Sequence, residues 1–415
     1  MAMPDILGLL GTNAPHADLT PPPPPAPPAP PEFSDEELLT LWNDDIRKEA
    51  FEGRFVYEQQ WQRNIFYVLN RQWIEYQRKY GGWRDKRMAQ WIPRPVTNKC
   101  KESIQTIRAM FTTIALGVNV RPNGNDPKNV SAASTADDLA PVLYEVHDMD
   151  HCLSEFDFWL TTCGNAFVHV CLDYDMKHGM ITISGQECQT CHTVTASTEL
   201  LGGMPKCPAC GGTEFAPAMD ETGMPIETKQ VKGAPTTVVL SPLELAFPNT
   251  YARFADLPYV VRLRWRTRRY FEKHPTLKAM VNDIAWQKAP DNQSLQMFRS
   301  LAMHNDLGVA SSYADSLQAQ SNEEGIPEYE VSMKPTEKYP EGLVFRVIGD
   351  KSPKILHLED TEAIPGPLPY KDAEGRPLFT YAHAGYEHVG GRIWASGALD
   401  PIIQKQDQLN QLDSM

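Results

Sequence analysis

Between residues 188 and 210 the chain reads CQTCHTVTASTELLGGMPKCPAC, two Cys-x-x-Cys pairs separated by fifteen residues. No other feature constrains the local fold as tightly. Each pair closes into a knuckle whose thiolates approach one metal from one side, and two knuckles complete a tetrahedral zinc site. Cys188, Cys191, Cys207 and Cys210 fill all four positions, which leaves none for a reactive water and points to structural rather than catalytic zinc. His192 after the second cysteine also fits c-type haem attachment, but the second knuckle, CPACGG, carries glycines suited to a tight turn over a metal. A thioredoxin-like role needs one Cys-x-x-Cys at a helix start, not two at ribbon spacing. Around the knuckles Glu187, Glu199 and Glu214 face Lys206 alone, a local surplus of acid that favours a structural or protein-facing module over a nucleic-acid-binding one.

So small a module leaves the rest of the 415 residues to be explained, and that length predicts two or three compact units. The formal charge of -14 repels phosphate on average and disfavours broad, non-specific nucleic-acid binding, although a local basic patch remains compatible with it. The first residues lack the basic start and cleavage site of a signal peptide, and no stretch has the roughly twenty apolar residues that cross a bilayer. With four of eight cysteines at zinc spacing, a reducing compartment is expected; Cys100, Cys152, Cys163 and Cys171 are read as buried free thiols.

Residues 20–32, TPPPPPAPPAPPE, form neither helix nor sheet, because proline removes a donor and fixes φ. A leader over 1–34 is expected to be a disordered spacer. Helix begins at Ser34, where SDEELLTLW carries a capping-box signature through Glu37. Apolar residues at three- and four-residue steps predict long helices over 46–80, 96–114 and 132–163. From Ala166 the period drops to two: FVHVCLDYD is a strand expected to pair with MITISG, and the sheet resumes at TTVVLSPLELAFP and PYVVRLRWRTRR.

In that last strand Arg262, Arg264, Arg266 and Arg268 share one face. They could grip phosphate or pair with carboxylates of a neighbouring subunit; the acid surplus favours the second. A helix is expected over 274–305 and a small mostly-β unit over 325–385. The ending, ALDPIIQKQDQLNQLDSM, opens as a helix with Asp400 as N-cap and Pro401 in the first turn. Its apolar face is left uncovered, so the natural protein is expected to continue beyond Met415.

Enzyme signatures are missing: no GxxxxGK[ST] phosphate loop, no HExxH, no GxSxG elbow and no GxGxxG after a strand. Asp148, Asp150, Asp173 and Asp175 form acidic pairs that could hold a divalent ion, with no partner cluster visible in the sequence.

Five stretches, in order, resemble the portal proteins of tailed bacteriophages: YVLNRQW at Tyr67, RPVTNKCKESIQTIRAMF at Arg94, WLTTCGNAFVHVCLDYD at Trp159, VVLSPLELAFP at Val238 and GRIWASGALDPIIQKQDQLN at Gly391. Each motif is loose, Asn70 stands where many relatives have glycine, and their order carries the likeness. The resemblance implies an α+β fold with a helical and mixed-sheet wing, stem helices and a small β-rich clip, enlarged here by a zinc-ribbon insertion. The implied division is a leader at 1–34, wing at 35–185, zinc ribbon at 186–212, more wing at 213–272, stem helix and linker at 273–322, clip at 323–385 and the start of a second stem helix at 386–415. It also implies a homo-oligomeric ring, usually a dodecamer, at one capsid vertex of the virion, made in the host bacterial cytoplasm. Its expected partners are the terminase large subunit, the head-tail adaptor, and capsid and scaffolding proteins. Double-stranded DNA would pass through without sequence-specific binding, no membrane is involved and no enzymatic activity is expected. The alternative is a zinc-ribbon factor that binds or processes nucleic acid.

Overall fold

The computed structural model describes residues 33–415 apart from 81, 90, 113–118, 123, 125, 174–179, 197–206, 208–209, 220–224, 232–233, 274–276, 289–323, 351, 359–363 and 372–374. Nearly all of the proline-rich leader therefore lies outside the described residues. Two compact units are present, one formed by Asp175–Lys232 and the other by Phe33–Tyr174 with Gly233–Met415. The fold is mixed α+β with antiparallel sheets.

The larger unit opens with α1 (Asp35–Thr40), a π-helical turn at Leu41–Ile46, and α2 (Arg47–Glu52). Leu38, Trp42, Ile46 and Ala50 are buried at strict four-residue steps. In a regular α-helix that spacing drifts around the axis, and the wider π turn cancels the drift. Ser34 is the N-cap, as expected, but its side chain makes no cap bond. Helix α3 (Phe55–Val68) buries Trp61, Ile65, Phe66 and Tyr67.

The helix expected to run on to residue 80 stops here, because Asn70 takes a left-handed φ of 65°, a conformation asparagine tolerates at helix ends. A ribbon follows, β1 (Ile74–Gln77) against β2 (Gly82–Asp85). Ile74 and Tyr76 lie two apart, so the aromatic spacing that mimics a helix serves a strand face equally well.

Helix α4 (Lys99–Thr112) lies inside its predicted span. The run predicted as one helix over 132–163 is two, α5 (Pro127–Val146) and α6 (Met149–Cys163), broken where Asp148 adopts φ 46°. Strand β3 (Asn165–Asp173) follows. The smaller unit then supplies β4 (Met180–Cys188), β5 (Val194–Ala196), β6 (Phe215–Pro217) and β7 (Glu227–Val231), in which β4 pairs with the other three. The unit extends well past the expected insertion at 186–212. The predicted pairing of MITISG with FVHVCLDYD does not form. Strand β3 instead pairs with β8 (Ala234–Leu240), whose Val239 and Leu240 share its buried core.

A larger sheet has the order β14-β13-β12-β10-β9. Its members are β9 (Leu245–Ala246), β10 (Tyr259–Thr267), β12 (Glu324–Met333), β13 (Leu343–Ile348) and β14 (Lys354–Leu356), with β11 (Gln287–Lys288) paired to β12. Helix α7 (Arg268–Lys273) and a 3-10 helix at Leu277–Asp283 precede β11. The helix expected over 274–305 is thus replaced at 277–288 by a 3-10 turn and a strand, while 289–305 lie outside the described residues. The expected β unit over 323–385 is not set apart: β12 pairs with β10 along Tyr259–Thr267. Strand β15 (Tyr381–Gly385) joins β3. Both faces of β12 and β13 are covered, one by α1, the π turn and α2, the other by a cluster around Phe271, Leu277 and Ile348. The last helix, α8 (Ile403–Asp413), begins three residues after Asp400.

Candidate metal centre and buried polar nodes

In the smaller unit, the buried residues among those described are Cys188, Cys207 and Ala218. Cys188 and Cys207 cluster with Cys191 and Cys210. Their four Sγ atoms all lie within 4.8 Å of one another, with Cys188 to Cys210 at 3.6 Å and Cys191 to Cys207 at 3.5 Å. Four thiolates about 2.3 Å from one tetrahedral ion would stand about 3.8 Å apart, so the donor set fits a single metal ion.

The two knuckles repeat one backbone design. Cys188 N–H donates to Thr193 O at 3.0 Å and His192 N–H to Cys188 O at 2.9 Å; Cys207 N–H donates to Gly212 O at 2.7 Å and Gly211 N–H to Cys207 O at 2.8 Å. The fifth position of each knuckle is left-handed, His192 at φ 58° and Gly211 at φ 74°. Gly212 packs against the sulfurs: a Cβ there would stand 3.2 Å from Cys188 Sγ and 2.9 Å from Thr190 Oγ1. His192 points its Nδ1 to Glu187 Oε1 at 2.7 Å and so lies outside the sulfur cluster. The Thr193 hydroxyl and backbone N–H pull the Cys191 thiol down to about 6. Backbone N–H groups favour the Cys188 thiolate as well, that of Thr190 most. Gly212 N–H acts the same way on Cys210, but hydrogen bonds shared with the neighbouring thiols outweigh it and leave that group raised to about 12. Thiols crowded this closely share protons unless a cation replaces them.

The strand arginines meet a different fate from the one expected. Register on β10 and β12 places Arg262 opposite Glu330 and Arg264 opposite Glu328. Arg264 pairs with Glu330, Arg266 Nε lies 2.7 Å from Glu328, and Arg346 of β13 lies 2.7 Å from Glu330. The carboxylates belong to a neighbouring strand of the same chain, so Arg264 and Arg266 have ion-pair partners within it. Burial would raise the Glu328 carboxyl, but Arg266, Arg264 and Arg346 hold it at about 2. Arg262 is buried and directs Nη1 to His169 Nδ1 at 3.4 Å. Burial lowers His169 to about 4, so the neutral ring accepts from the guanidinium. Only Arg268 is well exposed among the four, and it pairs with Glu272 and Glu324.

Sequence reasoning missed a set of buried amides that root α8. Asn410 donates to Gln72 Oε1 at 2.7 Å, and Gln406 bridges Lys99 N–H and Thr97 O, each at 2.9 Å. Asp407 takes Arg63 at 2.7 Å and also the Tyr67 hydroxyl. Asp400 is no N-cap of α8; it accepts from Asn64 at 2.8 Å and from Gly397 N–H at 2.8 Å. Beside it, Asn165 exchanges two 3.0 Å bonds with the backbone of Ala395. Gly164, at φ 78°, has no room for a side chain, since a Cβ would lie 2.5 Å from Ser396 C. The signal was present as a concentration of Asn and Gln in motifs far apart in sequence.

Asp148 and Asp150 assemble no cation site among the described residues: Asp150 accepts from the Tyr144 hydroxyl at 2.6 Å, and the cysteine group is the one metal-type cluster among them. Asp175 and the side chain of Asp173 lie outside them. Cys100 and Cys163 are buried as expected, whereas Cys152 and Cys171 are only partly so. No helix among the described residues is long and apolar enough to cross a membrane. No protein-family model matches the chain, and no curated protein matches it.

Proposed function

We propose that the chain is a subunit of the portal ring of a tailed bacteriophage, forming the channel for DNA packaging and ejection and the docking site for terminase and the head-tail adaptor. The observation that supports this most is the convergence of the quoted motifs. YVLNRQW, RPVTNKC and DPIIQKQDQLN supply Gln72, Asn98, Lys99, Gln406 and Asn410 to one node, and TTCGNAF interlocks with WASGALD through Asn165 and Ala395. Motifs that looked loose one by one form a single packed unit. Buried amide pairs are directional, so they fix the angle at which α8 departs, as a stem helix in a ring would require. Electron microscopy of the purified protein without DNA tests the reading: rings with a central hole support it, small discrete particles do not.

Within this reading the cysteine cluster holds one structural zinc ion, which stabilises the smaller unit. Thiolate donors select zinc over magnesium or calcium. Elemental analysis should find one zinc per chain, and chelation should unfold the smaller unit alone.

A further inference from the structure

Residues 71–94 carry seven cationic side chains against two carboxylates, within a chain whose formal charge is -14. They build the β1–β2 ribbon and the segment leading to α4. One face of the ribbon is fastened to the larger unit: Ile74 is buried beside Phe66 and Ile104, and Trp83 packs near Phe66 and Tyr76. Trp73 donates its indole N–H to Pro95 O at 3.1 Å. These aromatics are accounted for by packing.

The cations are not. Arg84 lies across from Glu75 on the other face of the ribbon, Arg71 is tied to Asp85, and Arg78, Lys79, Arg87 and Arg94, outside the two strands, are exposed. Arg78, Arg87 and Arg94 pair with no carboxylate among the described residues. Trp91 is 83% exposed, an indole with no packing role. Guanidinium groups bind phosphate oxygens with matched geometry, a two-stranded ribbon is one of the two shapes that enter a DNA major groove, and a free indole offers a stacking face for an unpaired base. Within the segment, Glu75 and Asp85 offset only two of the seven cations.

We infer that the β1–β2 ribbon and the segment to Arg94 form a docking surface for the phosphate backbone of nucleic acid, without base-sequence preference. This assignment does not rest on the ring reading, since it concerns one segment of the single chain.

The test is fluorescence anisotropy of the full chain with a labelled mixed-sequence duplex and a single strand of equal length, across a salt series. Three to four phosphate contacts give a log–log salt slope of about -3 for duplex. Joint substitution Arg78→Glu, Arg87→Glu and Arg94→Glu should weaken binding by on the order of a hundredfold. Reversal of the exposed Lys101, Lys128 and Lys405 should change it little. Absence of binding at low salt, or equal loss in both triple variants, would overturn the inference. So would displacement of the duplex by polyglutamate as effectively as by unlabelled DNA, which would make the ribbon a dock for acidic protein. That competition uses the unaltered chain and stands even if the triple variant fails to fold.

Discussion

Asn410, near the end of α8, donates its side-chain amide to Gln72 Oε1 across 2.7 Å, joining residues 338 apart in sequence. Both side chains are about 98–99% buried, so each amide depends on the other for satisfaction. Replacing Asn410 with Leu leaves the Gln72 carbonyl oxygen without that donor and removes the Gln406 to Asn410 bond. The expected cost is about 2 kcal/mol, read as a lower urea midpoint with an unchanged slope. The double change Gln72→Leu with Asn410→Leu should recover part of that loss.

Cys207→Ser removes one of the four clustered thiols and a buried side chain of the smaller unit. Zinc content should fall to near zero and Asp175–Lys232 should become sensitive to protease. The larger unit draws its cores from other residues, so its thermal transition should move little. A collapse of both units together would show that the cysteine cluster supports more than its own module.

Arg264 lies between two buried carboxylates, and Arg264→Ala strands charge at Glu328 and Glu330. Breaking a buried pair from one side costs about 3–5 kcal/mol. Arg268→Ala, at an exposed position, should cost less than about 1 kcal/mol. Equal destabilisation in the two variants would contradict the ion cluster described on β10, β12 and β13.

Two histidines predict acid sensitivity. Burial lowers both His169 and His383 to about 4, against about 6.5 in the unfolded chain. The unfolded chain therefore binds protons first as pH falls, and stability present above pH 6.5 is lost on the way to pH 4. For the buried His169 the loss is on the order of 3 kcal/mol. Glu328, held at about 2, adds a second loss below about pH 4.3, as its unfolded form takes up protons. His169→Gln should flatten the first limb of a stability-versus-pH curve and leave the second in place.

The knuckles were legible because their chemistry is local: spacing alone brings the thiols together. Helices α3, α4 and α6 were legible from periodicity, since each buries one stripe. Errors arose where two periods fit the same residues, as at Ile74 and Tyr76, or where one backbone angle decides, as at Asn70 and Asp148. Arg262, Arg264 and Arg266 were read correctly as one strand face, whereas Arg268 opens α7; the carboxylates that Arg264 and Arg266 meet sit on a strand more than sixty residues away, and no local pattern reports which strand will pair. The amide node rooting α8 was hidden for the same reason.

The central claim is the ring, and negative-stain electron microscopy of the purified protein, with no DNA or nucleotide added, tests it most directly. The account predicts rings with a central hole. Small uniform particles at every concentration tried would contradict it.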